Sequence, residues 1–198
     1  MLLLVIGLLV FIGIHTVPAS PGLRSGLIAR FGAGSYKLVF SVLSLIGFAL
    51  IVLGYHKLQL NPGKNPVLFS PPEWTKHIAY ALMLPAMILL VAGNVPSRIR
   101  TAVKHPTLLA VKLWALAHLL VNGDLASLLL FGSFLAYAIY DRISVKRRAA
   151  LGPLGTRTGG AFNDVIVVIA GLALYAFMVL YGHGALIGVP VGQFSFAP

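Results

Sequence analysis

Histidine is the residue type in this sequence best able to do chemistry. An ionisable side chain inside a membrane is costly unless it has a partner, and neutral imidazole is a common ligand of metal ions and of haem iron. Five of the six histidines lie within or at the ends of apolar segments: His15, His56, His77, His105 and His118. The sixth, His183, lies between two glycines near the C-terminus and is expected to be exposed. Histidine ligation of a metal is therefore the first hypothesis for function.

Each of these histidines also has an ordinary explanation. His56 and His77 lie at the ends of apolar segments, where side chains with a polar tip anchor a helix at the lipid headgroups. His105 directly precedes a proline and can simply begin a helix. His15 and His118 lie deeper in their segments, so they are the stronger candidates for a metal ligand.

His105 and His118 cannot bind the same metal ion if they share one unbroken helix. They are thirteen residues apart, which corresponds to about 20 Å of rise and about 220° of rotation. A ligand at either position therefore needs a partner from another part of the chain.

Other kinds of catalytic site are not indicated. The four acidic residues are scattered, and no Ser-His-Asp order, phosphate-binding loop or H-E-x-x-H pattern occurs. The absence of cysteine excludes disulfides, thiolate metal sites and iron–sulfur clusters. Lys112 lies within an apolar segment, where it either extends towards the headgroups or pairs with Asp124 or a haem propionate. Trp114 either lines an apolar pocket or contributes to ordinary packing.

The composition indicates a protein with several membrane-spanning segments. Of the 198 residues, 59% are hydrophobic and 10% are charged, whereas soluble domains have about 25% charged residues. Fifteen basic residues and four acidic residues give a net charge of +11. Because the basic residues mostly lie between apolar segments, they are expected to orient the chain and contact anionic lipid, and nucleic-acid binding is not expected.

The hydropathy pattern predicts an all-α bundle of six transmembrane helices in a single domain. The apolar segment at the N-terminus is expected to remain as the first helix, because no basic residue precedes it. The short fourth and fifth segments are expected to form a hairpin that ends below the membrane surface and is supported by neighbouring helices. Pro85 predicts a kink in the third. The predicted spans are Leu2–Val17, Tyr36–Tyr55, His77–Asn94, Leu108–Val121, Leu125–Tyr140 and Val165–Tyr181.

The distribution of basic residues predicts that both termini face outward. The gaps after the first, third and fifth segments hold eleven Lys and Arg residues, counting Lys37 just inside the second segment, whereas the opposite side holds three. Basic loops stay in the cytoplasm. The gap from Asp141 to Asp164 is predicted to be a loop.

Several stretches of the sequence resemble the NnrU family. They are G-I-H at 13–15, P-P-E-W-T-K-H at 71–77, K-H-P-T-L-L-A-V-K-L-W-A-L-A-H-L-L-V-N-G-D-L-A-S at 104–127 and D-R-I-S-V-K-R-R at 141–148. The resemblance covers nearly the whole chain. It implies a bacterial inner-membrane protein associated with nitrite and nitric oxide reduction during denitrification. The family is related to the plant zeta-carotene cis–trans isomerase, an integral membrane enzyme that uses haem b.

The resemblance to the isomerase implies specific ligands. Its favoured haem ligands match His15 and His118, and a cysteine linked to redox-dependent ligand exchange matches Ala115. Isomerase activity is therefore in question for this chain. If the first span ends near Ser20 and the fourth begins near Thr107, His15 and His118 lie about 7 Å and 16 Å above the inner boundary. Depth alone does not decide between His118 and His105 as the partner of His15.

The resulting hypothesis is a membrane protein that binds one haem b between the first and fourth spans through His15 and His118. His105 and then His77 are the alternative ligands, and Lys112 and Trp114 are possible pocket residues. Nitric oxide or a polyene double bond would occupy the coordination position that opens when one of the two ligands dissociates from the iron. Two other functions remain open: a haem-dependent isomerase of a polyene such as a carotenoid, and a transporter or assembly partner without a cofactor.

Overall fold

The computed structural model describes residues 1–149 and 154–191, and it is helical almost throughout these ranges, as the sequence predicts. A π-helical segment, Met178–Gly182, joins the last two helices, and a 3-10 turn, Pro62–Lys64, follows the third helix. The α-helices are α1 (Leu2–Ala19), α2 (Pro21–Phe31), α3 (Ala33–Gln59), α4 (Thr75–Ala92), α5 (Arg98–Val103), α6 (Pro106–Val121), α7 (Leu125–Arg147), α8 (Ala161–Phe177) and α9 (His183–Ile187).

Five helices are long and apolar enough to cross a membrane. They are α1, α3, α4, α7 and the continuous stretch from α8 to α9. The remaining predicted span, α6, is apolar but has only 16 residues. It is therefore about 24 Å long, which is shorter than the hydrocarbon core of about 30 Å. The fold is that of a helical membrane protein with at least five such helices in its described part.

The helices differ from the predicted spans mainly at their ends. α3 is longer than predicted in both directions, and α7 continues to Arg147 rather than ending at Tyr140. The last predicted span continues through the π-helical segment to Ile187. Hydropathy detects where the side chains stop being apolar, but the backbone hydrogen bonds of a helix can continue beyond that point. The middle of the predicted loop, residues 150–153, and residues 192–198 lie outside the described part.

The extension of α7 has a clear structural role at the end of α1. The Ser144 hydroxyl donates a hydrogen bond to the carbonyl oxygen of Ala19 at 2.8 Å. The Arg148 guanidinium donates to the carbonyl of Pro18 at 3.1 Å and pairs with Asp141 at 3.4 Å. The final carbonyls of a helix have no partner within it, so the last turns of α7 satisfy them.

Two of the gaps between the predicted spans contain helices. α2 follows α1 directly, and α5 lies between α4 and α6. The start of α5 is capped twice: Ser97 accepts a hydrogen bond from the amide of Arg100, and Asp164 at the start of α8 accepts from the amide of Arg98 at 2.7 Å. These caps are the type that helix N-termini prefer. They connect α5 to α8, a contact that hydropathy does not report.

The helices α1 and α3 pack closely, and glycines make this approach possible. A Cβ placed on Gly54 of α3 would lie 2.6 Å from the backbone nitrogen of Leu4, and one on Gly47 would lie 2.8 Å from that of Phe11. Gly7 makes the same kind of approach from α1. Small residues let the backbones of membrane helices come this close.

The other long helices extend the bundle from this pair, each packing against its neighbour. α1 also packs against α7, α7 packs against α6, α6 packs against α4, and α4 packs against α8. The short α9 returns to contact α3. The residues of the largest buried cluster come from α1, α3, α6 and α7 and include Leu8, Ile51, Ala115 and Phe131.

The turn between α6 and α7 is supported by the loop between α3 and α4. The amides of Leu68 and Phe69 donate to the carbonyl of Gly123, at 2.8 and 3.3 Å. Asn65 donates to the Asp124 carboxylate at 2.7 Å. The sequence predicted support from neighbouring helices, but an extended segment provides it, because a turn exposes backbone groups that need hydrogen bonds.

Candidate functional site

His118 lies near the end of α6, among aromatic rings from two other elements. Its ring stacks on Phe131 of α7, with ring centroids 4.4 Å apart, and lies 5.4 Å from Trp114 of its own helix. The ring of His183 on α9 is nearly parallel to it, with centroids 6.2 Å apart and an interplanar angle of 13°. His118 therefore occupies an aromatic environment formed by α6, α7 and α9.

His15 lies near the C-terminal end of α1, where α1, α3 and α7 meet. Its ring is 4.2 Å from Phe11, 5.1 Å from Phe40 of α3 and 6.1 Å from Tyr137 of α7, between centroids. The Tyr137 hydroxyl donates a hydrogen bond to the carbonyl oxygen of His15. This environment is also aromatic and half-buried.

The two predicted ligands have the same hydrogen-bond arrangement. Nδ1 of His15 donates to the carbonyl oxygen of Phe11 at 2.7 Å, and Nδ1 of His118 donates to that of Trp114 at 2.8 Å. Because a carbonyl oxygen can only accept, Nδ1 carries the proton and Nε2 keeps its lone pair. Metal-binding histidines are held in this way. Each imidazole taken by itself therefore presents an unprotonated ring nitrogen of the kind that haem iron binds.

A row of aromatic rings connects the surroundings of the two histidines. Phe134 of α7 lies 5.5 Å from Phe11 and 5.4 Å from Trp114, between ring centroids. These rings lie between His15 and His118. The space between the two predicted ligands is therefore apolar and occupied by side chains of α1, α6 and α7.

His15 and His118 contact different levels of α7. His118 contacts Phe131, whereas His15 contacts Tyr137. Six residues of helix correspond to about 9 Å of rise. Two imidazoles that bind one metal hold their nitrogens about 4 Å apart, taking about 2 Å for each metal–nitrogen bond, as in zinc sites. The levels of α7 that His15 and His118 contact are separated by more than this distance.

His183 is the residue that the sequence interpretation missed. It was expected to be exposed, but it lies beside His118, and its Nδ1 also contacts a backbone carbonyl, that of Val189, at 2.5 Å. The signal that could have found it is the continuation of the last helix beyond Tyr181. That continuation brings the ring of His183 next to that of His118.

The two alternative ligands are located elsewhere. His105 begins α6 and lines a basic cavity together with residues such as Arg100 and Arg142. His77 lies in the first turn of α4, where its side chain is exposed and Nδ1 is 3.3 Å from the carbonyl oxygen of Trp74. In the described part of the chain, the rings next to His118 are those of Trp114, Phe131 and His183, and neither alternative ligand is one of them.

Lys112 and Trp114 do not face the same way. Two residues along a helix give about 200° of rotation, so the side chains leave α6 on nearly opposite sides. Trp114 contacts His118 and two phenylalanines of α7. Lys112 has no hydrogen bond or ion pair within the described ranges. Asp124, its suggested partner, is instead hydrogen-bonded by Asn65 and Ser127.

Comparison with known proteins agrees with the resemblance seen in the sequence. Residues 3–191 match the protein family described as NnrU protein. No curated protein and no solved structure matches the chain. In the described part of the chain, no three His, Asp or Glu side chains are grouped closely enough to hold a metal ion.

Proposed function

The chain belongs to the NnrU family, and from this premise we propose that it binds haem b in the membrane and supports nitrite or nitric oxide metabolism. The observation that carries the proposal is the hydrogen bonding and the aromatic environment of the His118 ring. Its Nδ1 is held by a backbone carbonyl, its Nε2 has no hydrogen bond to any residue that the structure describes, and aromatic rings surround it. When bound there, haem would supply a redox-active iron that can bind nitric oxide.

Two histidines are candidates for the second iron ligand, opposite His118. The resemblance implies His15, whose Nδ1 is held in the same way. Ring positions favour His183, because its centroid is 6.2 Å from that of His118, whereas His15 contacts α7 about 9 Å further along its axis. Two ligands on one iron must lie at nearly the same level, so His183 is the stronger candidate on geometry.

The row of aromatic rings between His15 and His118 favours one alternative function. An apolar, aromatic environment would also accept a polyene chain, as required of a haem-dependent isomerase. Against this, Ala115 stands where the plant isomerase has its cysteine, and it is fully buried. The third possibility, a transporter or assembly partner without a cofactor, predicts no haem in the protein.

Absorption spectroscopy tests the proposed function. We expect the protein purified from haem-sufficient cells to show the Soret and visible bands of haem with two histidine ligands, in both oxidised and reduced forms. The iron should then respond to nitric oxide by a change in these bands. A protein that is folded but shows no Soret band would contradict the proposal and favour the third possibility. Conversion of a cis-carotene to its isomer would favour the isomerase.

We further propose that the chain crosses the bacterial inner membrane six times, with α6 as the short sixth span and both termini outside. The α6–α7 turn has its backbone groups satisfied by the loop around Asn65, so it can end below the surface. The side with most basic residues contains α2, α5 and the end of α7. Basic loops favour the cytoplasm.

Reporter fusions test this orientation. A reporter fused after residue 198 should behave as external, and one inserted near Arg148 should behave as cytoplasmic, because the basic segments resist export. Each position should be tested with two reporters, one that is active only outside the cytoplasm and one that is active only inside it. If both positions report the same side, the number of spans between them is even rather than one, and the six-span arrangement is wrong.

A further inference from the structure

A basic cavity lies at the opposite end of α6 from His118. It has a volume of about 570 Å³ and is formed by α5, the start of α6, the last turns of α7 and the segment before α8. Six basic side chains line it: Arg100, Lys104, His105, Arg142, Lys146 and Arg157. No acidic residue lines it within the described ranges. The charge in this cavity therefore lacks a counter-ion from its own walls.

Arg100 shapes one wall of the cavity. Its side chain is buried, with the residue only 6% exposed, and its guanidinium donates to the carbonyl oxygens of Gly155 and Arg157, both at 2.8 Å. These contacts hold the segment 155–158 against the cavity. Carbonyl groups satisfy the donors but leave the positive charge in place, and a buried charge without an ion-pair partner is costly.

The backbone conformation of Lys104 and the pKa of His105 are both consistent with an anion-binding site in this cavity. Lys104 has φ of +65°, a conformation that is uncommon and costs free energy in a non-glycine residue. This turn brings Lys104 and His105 to the cavity. The pKa of His105 is below its ordinary value, first because of burial and then because of the positive charge of Arg142, with smaller effects from Arg100 and Lys104. Asp141, which acts in the opposite direction, is paired with Arg148.

We infer that this cavity binds a multiply charged phosphate group. Arginine side chains match phosphate oxygens with two parallel hydrogen bonds, and lysine supplies a further positive charge. The volume is within the range of small-molecule sites and exceeds what a single small ion needs. The group could be the headgroup of an anionic lipid or a free diphosphate, since the chemistry of recognition is the same.

The test uses the full chain in detergent, with inorganic diphosphate as the first probe. Binding should raise the pKa of His105, measured by NMR and assigned with His105→Gln, because the anion offsets the positive charge around it. Arg142→Gln and Lys146→Gln should each weaken binding by about tenfold. Arg98→Gln is the matched control, because it removes the same charge from an exposed residue of α5 that does not line the cavity.

The source of the phosphate is separated by a second probe. Nanodiscs of phosphatidylcholine are compared with nanodiscs that also contain phosphatidic acid. A rise in the pKa of His105 with phosphatidic acid alone supports a lipid headgroup, and a rise with diphosphate supports a free anion. If neither probe changes it, or if Arg98→Gln weakens binding as much as Arg142→Gln does, the inference is wrong.

Discussion

His118→Ala is expected to remove haem from the purified protein almost completely. His118 belongs to both candidate ligand pairs, so no other residue among those proposed would replace it. Residues that only orient a metal ligand contribute about 10–100-fold to affinity, so removal of the ligand itself should weaken retention by at least about a hundredfold. The measurement is the ratio of Soret absorbance to protein absorbance after purification.

The same experiment identifies the second ligand. His183→Ala should convert the spectrum to a high-spin form if the iron lies between α6 and α9, while His15→Ala leaves it low-spin. The opposite pattern would place the iron between α1 and α6, as the resemblance implies. Imidazole added to the damaged variant should restore the low-spin spectrum, since it can occupy the vacated position while the pocket remains.

His105→Ala and His77→Ala are the matched controls for this series. Both remove an imidazole, but His105 lines the basic cavity and His77 is exposed at the start of α4. Their spectra should match that of the parent protein. A silent His118→Ala together with a damaging His105→Ala would contradict the assignment and put the iron near the basic end of α6.

Gly54→Ala is expected to destabilise the bundle even though it adds a single methyl group. The new Cβ would lie 2.6 Å from the backbone nitrogen of Leu4, and a helix backbone cannot move aside alone. α1 and α3 would have to separate, with a cost of about 1–3 kcal/mol for overpacking. The measurement is thermal or denaturant unfolding in detergent micelles.

Gly13→Ala is the control for this prediction. Gly13 lies in α1, the partner helix, and a Cβ there would meet nothing within 4 Å. Both substitutions gain helix propensity of about 1 kcal/mol, so their difference isolates the clash. Equal stabilities of the two variants would show that the close approach of α1 and α3 does not limit stability.

Much of the architecture follows from composition and local sequence. Runs of apolar residues need helices because backbone groups in lipid must be bonded internally, and so the six apolar segments all became helices. The ends of the helices did not follow in the same way. α7 continues to Arg147 because Ser144 and Arg148 cap α1, and that partner lies far away in the sequence.

For the candidate site, too, the sequence determined some features and the tertiary structure decided the others. The sequence by itself determined that His105 and His118 are in different places, because helix geometry depends only on the number of residues between them. It also singled out His118 as a deeply located histidine. Only the tertiary structure brought His183 beside His118, gathered six basic side chains around one cavity, and gave the Asp124 carboxylate Asn65 and Ser127 as its hydrogen-bond donors. These contacts join elements that are distant in the chain, and their formation depends on how helices pack, which no local pattern of residues specifies.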